Sequence, residues 1–314
     1  MNNLADGNAD EFFSPWEQKI TSWKNAQTWL ERTQAVAGSR RSLVWRGVSN
    51  ASYSLSSSLY RELQKTHEMP TEQVMRHQER FYLDIARERW RFDGRNPLEL
   101  MANLQHFGAP TRLIDVTYNP LVALWFACSI GSNQDSSNDG RLFIFDVSNR
   151  ELNLDITRDS QDLPWFHNSK ISSDRWHHQL PFVWRPPSYI ERIAAQNAAF
   201  LIGGIPNVRK GQNNWYRKGP GNGAKMGTWK IDEVRNATSV PLRMNSLTTN
   251  ASARSTPTFT LRIAAKAKEE IRRILDRHYG INAATLFPEM YGLAQFIQNE
   301  AIDITKSRHP SRGK

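Results

Sequence analysis

The chain has 314 residues, with 41 basic and 31 acidic side chains, eight histidines and one cysteine. That length suffices for one large α/β unit or two modest domains with a full core, while a single cysteine excludes an internal disulfide and a CxxC zinc or redox site. No apolar run approaches the roughly eighteen residues that a membrane helix needs, and the acidic opening MNNLADGNADEFF lacks the layout of a signal peptide, so a cytoplasmic protein with no membrane partner is expected.

The net charge of +10 is lopsided. Residues 1–160 carry 18 Lys/Arg against 20 Asp/Glu, and residues 161–314 carry 23 against 11. Such a distribution creates a positive face that attracts polyanions, RNA and DNA among them; the plainer reading is a solvated basic surface.

From the N-terminus, Trp16, Ile20, Trp23, Gln27 and Leu30 recur at helical spacing and predict a helix over 16–36 that Gly38 stops. Leu43-Val44-Trp45 reads as a short strand ending at Arg46-Gly47, and the Ser-rich stretch 49–58 as a loop with Tyr53 and Leu55 beneath it. Thr71 caps a helix reaching Trp90, with Val74, Phe81 and Ile85 on its inner face. Pro97 opens a short helix carrying Leu98, Met101, Ala102 and Gln105, which Gly108 and Pro110 break. Asn119-Pro120 starts a helix through Leu121, Ala123, Leu124, Phe126 and Ala127, apolar all round and so buried.

Residues 129–140 are turn-rich, 141–147 alternate as a strand, and prolines punctuate 150–188. Residues 207–230 combine six Lys/Arg, five glycines and no acid with Trp215, Tyr216 and Trp229, the composition of a long mobile loop or insertion. A polar connector at 242–258, a strand at 259–263, a basic helix at 267–279 ending at Gly280, an amphipathic helix at 288–299 and a frayed basic tail follow. With no internal repeat, strands separated by helices and loops predict α+β: a mixed sheet with surrounding helices.

No GxGxxG after a strand, no P-loop, no HExxH and no GxSxG occurs, so those site types lose their usual warrant. Gly-Pro-Gly-Asn-Gly at 219–223 has neither the strand before it nor the Lys-Ser/Thr after it that a phosphate loop requires. No metal is expected. Arg46, at a strand end and followed by glycine, has two readings: a guanidinium held in a cleft for a pyrophosphate or carboxylate, or a structural partner of Asp115. The segment from Gln105 to Thr117 places polar residues just before a buried helix, a junction that often lines a pocket. Within it His106 is a base, a ligand contact or an incidental histidine; Arg112 belongs to an internal network, and Asp115 has a mixed role. Cys128 is expected to be a buried, inert thiol. In 207–230, Arg209, Lys210, Arg217, Lys218, Lys225 and Lys230 are placed to track a phosphate backbone while Trp215 and Tyr216 stack on bases; the competing reading has the aromatics packing back on the domain.

The same residues carry a family resemblance. Leu43-Val44-Trp45-Arg46-Gly47, Tyr53-Ser54-Leu55 and Leu59-Tyr60-Arg61 resemble the opening of the FRG domain, and residues 105–127, QHFGAPTRLIDVTYNPLVALWFA, are similar to its most recognisable block. Arg192-Ile193-Ala194-Ala195-Gln196 with Phe200 resembles its third block, and Leu286-Phe287-Pro288-Glu289-Met290-Tyr291-Gly292-Leu293 its last. Trp45, Val116 and Asn197 depart from the family pattern. The resemblance spans 27–300 as one domain, with 1–26 a helical lead and 301–314 a basic flexible tail.

A second likeness is to the ADP-ribosyltransferase fold: an Arg-Gly ending an early strand, a hydroxyl-bearing turn feeding an Ala-x-x-Phe-Ala helix, and a late Gln or Glu. It implies NAD as cofactor. Arg46 would hold its phosphate or ribose, with His106, Thr111 and Asp115 nearby, Thr111 or Thr117 would shape the nicotinamide site, and Gln196 or Glu191 would steady the departing sugar. Because Gln196 carries no charge, Glu191 or Glu289 is the alternative source of a carboxylate. The implied activity is that of an ADP-ribosyltransferase-like toxin or phage-defence effector, or an NAD glycohydrolase, acting on nucleic acid or a protein of its machinery and paired with a cognate antitoxin. The other hypothesis is a non-catalytic nucleic-acid-binding or adaptor module.

Overall fold

The computed structural model describes residues 6–94, 96–129, 137–152, 162–166, 181–187, 191–207, 215–218, 225–245 and 258–297. The N-terminal part comprises α1 (Asp6–Phe13), a 3-10 turn at Ser14–Trp16, β1 (Gln18–Ile20), α2 (Trp23–Ala37) and β2 (Leu43–Val48). Then come α3 (Ser58–Leu63), α4 (Glu72–Glu88), α5 (Pro97–His106), β3 (Ile114–Thr117), α6 (Pro120–Cys128) and β4 (Gly140–Asp146). The remainder holds β5 (Phe182–Trp184), α7 (Glu191–Ala195), β6 (Ala198–Ile202), β7 (Tyr216–Lys218), β8 (Lys225–Thr228) and α8 (Ile231–Ala237). It ends with β9 (Thr258–Ile263), α9 (Ala265–Tyr279), α10 (Ala283–Leu286) and α11 (Met290–Phe296).

Seven strands make one mixed sheet in the order β1-β9-β4-β2-β3-β6-β5, and β7 and β8 pair separately. Only β1 with β9 is parallel among these pairings. Strand pleating sends alternate residues to opposite faces. Trp45, Leu142, Ile144, Leu261 and Ile263 meet α2, α6 and α9 on one side. Val44, Phe143, Phe145, Ile114 and Val116 meet α1 and α8 on the other. Beyond β3, Leu113, Phe200 and Ile202 pack with residues of α4 and α5. The α+β class with a mixed sheet surrounded by helices is as the sequence predicts.

Several elements differ from expectation for identifiable reasons. The first long helix begins at Trp23, not at residue 16, because the Ser22 hydroxyl accepts from Asn25 N and sets the start. Gln18–Ile20 extends instead as an edge strand beside β9, and α1 sends Ala9, Phe12 and Phe13 into the core, so the N-terminal lead is built into the sheet and its packing. Thr71 does cap α4, but the buried face is Met75, Glu79, Leu83 and Ala86, and Phe81 is 52% exposed. An inward carboxylate turns the helix: Arg112 donates to Glu79 from Nε at 2.7 Å and Nη2 at 2.8 Å, and Trp165 Nε1 donates at 2.9 Å. Leu55 is buried beneath the Ser-rich stretch, whereas Tyr53 is exposed.

Helix α6 is buried as its composition demands, with Asn119 Oδ1 accepting from Leu121 N at its start. Its backbone lies directly on β2. A Cβ at Gly47 would stand 1.9 Å from the Ala123 carbonyl oxygen and 2.5 Å from Ala127 N, so glycine there permits the close approach of helix and strand.

Candidate functional site: a cleft at the split between two strands

Strand β2 pairs with β4 over six positions and β3 with β6 over four, yet β2 and β3 are in register only at Trp45 and Thr117. Next to that pair the strands diverge, and Arg46 stands in the gap. Its Nη1 donates to the Asp115 carbonyl oxygen at 2.6 Å and lies 3.8 Å from the Asp115 carboxylate. A cleft of about 150 Å³ opens here, lined by Arg46, Asp115, Thr117, Phe126, Arg192 and Gln196. A second cleft, about 180 Å³, is lined by Arg46, Ser58, Arg61, Gln105, Gly108 and Asp115. Arg46 and Asp115 are common to both.

Arg46 therefore both contacts Asp115 and lines open space. Burial lowers the guanidinium pKa, and Asp115 opposes this without offsetting it. The Asp115 side chain is 64% exposed, with Oδ1 accepting from Gln105 Nε2 at 2.7 Å. Thr111 is buried and fully engaged. Its hydroxyl donates to Gln105 Oε1 and accepts from Leu113 N at 3.2 Å, while its amide donates to Ser58 Oγ at 2.9 Å. It positions Gln105 and, through it, Asp115.

Thr117 lines the first cleft, but its hydroxyl donates to the Gln196 carbonyl at 2.6 Å and accepts from Asn119 N at 2.9 Å. It thus joins the end of β3 to the turn before β6. That turn needs Asn197 at φ 46°, a left-handed conformation that asparagine tolerates better than most residues. The buried Gln196 donates from Nε2 to the Leu286 carbonyl at 3.0 Å, fastening α10 to the cleft. Glu191 is exposed at the start of α7, and it is not among the described residues lining either cleft.

Arg192, one residue on, does line the first cleft, with its guanidinium 4.7 Å from the centre of the Phe287 ring. His106 lies within electrostatic reach of Arg192 and Glu289. Burial lowers the His106 pKa, Arg192 lowers it further, and Glu289 opposes both. Both carboxylate oxygens of Glu289 are shielded from water without a hydrogen-bond partner among the described residues.

The basic stretch departs from a loop. Tyr216–Lys218 and Lys225–Thr228 pair as a hairpin in which Lys218 is opposite Lys225. Trp229 is buried, and Phe12 lies 5.4 Å from it and 6.2 Å from Trp215, centre to centre. Arg217 stacks 3.8 Å from the Trp229 ring centre and binds Glu11 and Glu233 at 2.9 and 2.6 Å. Tyr216 remains 42% exposed and Lys230 exposed, while Arg209 and Lys210 lie outside the described residues. Apolar burial of the tryptophans against α1 is what folds the segment back.

Four charged residues escaped sequence reasoning: Arg61, Arg192, Glu72 and Glu79. Arg61 and Arg192 lie inside quoted family blocks, where their clustering with aromatic residues was the available signal. The two acids bound to Arg112 come from α4, 33 and 40 residues away, and no local pattern announces them. Cys128 is buried, and burial pushes its thiol up to about 12.

Fold and cleft together define an α+β protein in which a split between sheet strands exposes a guanidinium. Within it, residues 41–136 match the family model of the FRG domain, a span that holds Arg46, Arg61, His106, Thr111, Asp115 and Thr117 but ends before α7. No curated protein and no solved structure matches the chain. Among the described residues, no helix is long and apolar enough to cross a membrane.

Proposed function

We propose that this FRG-domain protein binds NAD in the first cleft and cleaves the bond between nicotinamide and ribose, as an ADP-ribosyltransferase or an NAD glycohydrolase. The observation that carries the reading is Arg46, whose side chain is 22% exposed in the cleft and whose carboxylate neighbour is itself 64% exposed and 3.8 Å away. A pyrophosphate bridging Arg46 and Arg192 supplies the missing negative charge through paired, charge-assisted hydrogen bonds. As nicotinamide leaves with the electron pair of the glycosidic bond, positive charge develops on the sugar, and Asp115 is the carboxylate lining the cleft that stabilises it. The oxygen of water or of an acceptor then bonds to the sugar carbon and loses its proton to solvent. The biological setting proposed is an effector of the toxin or phage-defence kind, directed at nucleic acid or its protein machinery and restrained by an antitoxin.

A non-catalytic binding or adaptor module is the second reading, and Gln196 favours it. The residue brings an amide to the position where the likeness to transferases calls for an acid, and that amide is already bonded to Leu286. Incubation with labelled NAD and a panel of protein, RNA and DNA separates the two. The enzyme reading expects free nicotinamide, with or without a labelled acceptor; a folded wild-type protein that leaves NAD intact under every condition contradicts it.

A further inference from the structure

The second cleft shares Arg46 and Asp115 with the first and adds Arg61, which the NAD reading does not use. Arg46 and Arg61 both line it, while Asp115 is its one acid among the described lining residues. Arg61 donates to the Ser56 carbonyl, a neutral acceptor, rather than to a carboxylate. Burial lowers its pKa, Arg46 lowers it further, and Asp115 acts in the opposite direction. Two guanidiniums and one exposed carboxylate thus line this cleft, and the carboxylate's Oδ1 is already engaged by Gln105. Ser56 and Ser58 also line it, and Gly108 and Ala109 keep one wall low. Immediately before that wall, Phe107 holds its ring 78% exposed at the end of α5. Its ring stands edge-on to that of His106, 5.1 Å away. An exposed aromatic ring one residue from the lining of a cleft that holds two cations is a combination suited to a nucleobase together with its phosphate.

We propose that the second cleft is a nucleoside-phosphate site, with the phosphate between Arg46 and Arg61 and the base stacked on Phe107. This deepens the reading above and rests on its assignment of Arg46 to phosphate. It adds a separate occupant on the Arg61 side of the Arg46–Asp115 contact, so a nucleotide, free or at the end of a nucleic-acid strand, sits next to the cleft proposed for NAD. Such a neighbour is the chemical class expected of an acceptor or of a ligand that tunes the first cleft.

The test is a calorimetric titration of the full chain with adenosine, AMP, inorganic phosphate, and a single-stranded oligonucleotide with and without a terminal phosphate. AMP or the phosphorylated strand is expected to bind, and the tighter of the two identifies the source of the phosphate. Adenosine and the unphosphorylated strand are expected to bind at least about tenfold more weakly, since they lack the charge-assisted bonds. Arg61→Ala should weaken the phosphorylated ligand by about tenfold or more, with Arg61→Lys intermediate because it keeps the charge but loses the planar fork. Phe107→Ala should weaken AMP while leaving inorganic phosphate unchanged. Equal affinity for adenosine and AMP, or wild-type affinity in Arg61→Ala, overturns the proposal. Nicotinamide release is followed in parallel: AMP bound through Arg61 without NAD cleavage sinks the catalytic reading alone, and NAD cleavage with no response to AMP sinks this one alone.

Discussion

Arg112 is buried and Arg46 partly buried, and their surroundings treat the charge in opposite ways. Around Arg112 the ledger is closed: Glu79 takes Nε and Nη2, Glu72 takes Nη1 at 2.8 Å, and the guanidinium lies 5.3 Å from the Trp165 ring centre. Burial works to lower its pKa, but Glu72 and Glu79 more than offset this and raise it. Around Arg46 burial wins and the pKa falls, because its contacts are a carbonyl and an exposed carboxylate at 3.8 Å. A buried cation with two acids braces the fold, here by tying the 105–117 segment to α4. A partly buried cation with an incomplete complement, facing a cleft, is instead a place where an anion fits.

This contrast can be broken from the structural side first. Arg112→Ala leaves Glu72 and Glu79 uncompensated in the interior and should cost about 3–5 kcal/mol in chemical denaturation. A loss under about 1 kcal/mol, the scale of an exposed ion pair, would show that the network is ornamental. Gly47→Ala comes next, since its methyl group would meet the backbone of α6. It should destabilise by roughly 1–3 kcal/mol, as overpacking does, and widen the split beside Arg46; an unchanged unfolding midpoint removes α6 as the element that fixes Arg46.

The smallest effect concerns pH. His106 is expected to titrate below its ordinary value, first because of burial and then because of Arg192. A histidine depressed in the native state contributes stability that is present above its unfolded pKa, about 6.5. That contribution is lost as pH falls from there through the native value. NMR titration of the imidazole should move upward in Arg192→Ala and downward in Glu289→Gln. Movement in neither variant would separate His106 from the cleft.

Much of the Arg46 side of this comparison was legible in the sequence. Leu43-Val44-Trp45 followed by Arg-Gly marked β2, and Asn119-Pro120 before an all-apolar run marked a buried helix, because capping and burial are local properties. Arg46, Asp115, Thr117 and Gln196, to which the transferase likeness gives roles around one ligand, line one cleft. What escaped was long-range. The predicted inner face of α4, Val74, Phe81 and Ile85, omits Glu79, because the Arg112 that draws it inward comes from 33 residues away. The basic stretch reads as a loop until Phe12 provides a surface for Trp215 and Trp229. Thr117 is expected to shape a nicotinamide site, and its hydroxyl is taken up by the turn at Gln196, 79 residues away.

The central claim is that Arg46 serves a ligand rather than the fold, and one paired measurement on Arg46→Ala tests it most directly. Chemical denaturation should shift by only about 1 kcal/mol, the worth of its bond to a carbonyl. Nicotinamide release from NAD by the same preparation should fall by about a hundredfold or more, the scale of losing an electrostatic contact made to a reacting group. A variant that unfolds as readily as Arg112→Ala, or one that releases nicotinamide at the wild-type rate, contradicts the account.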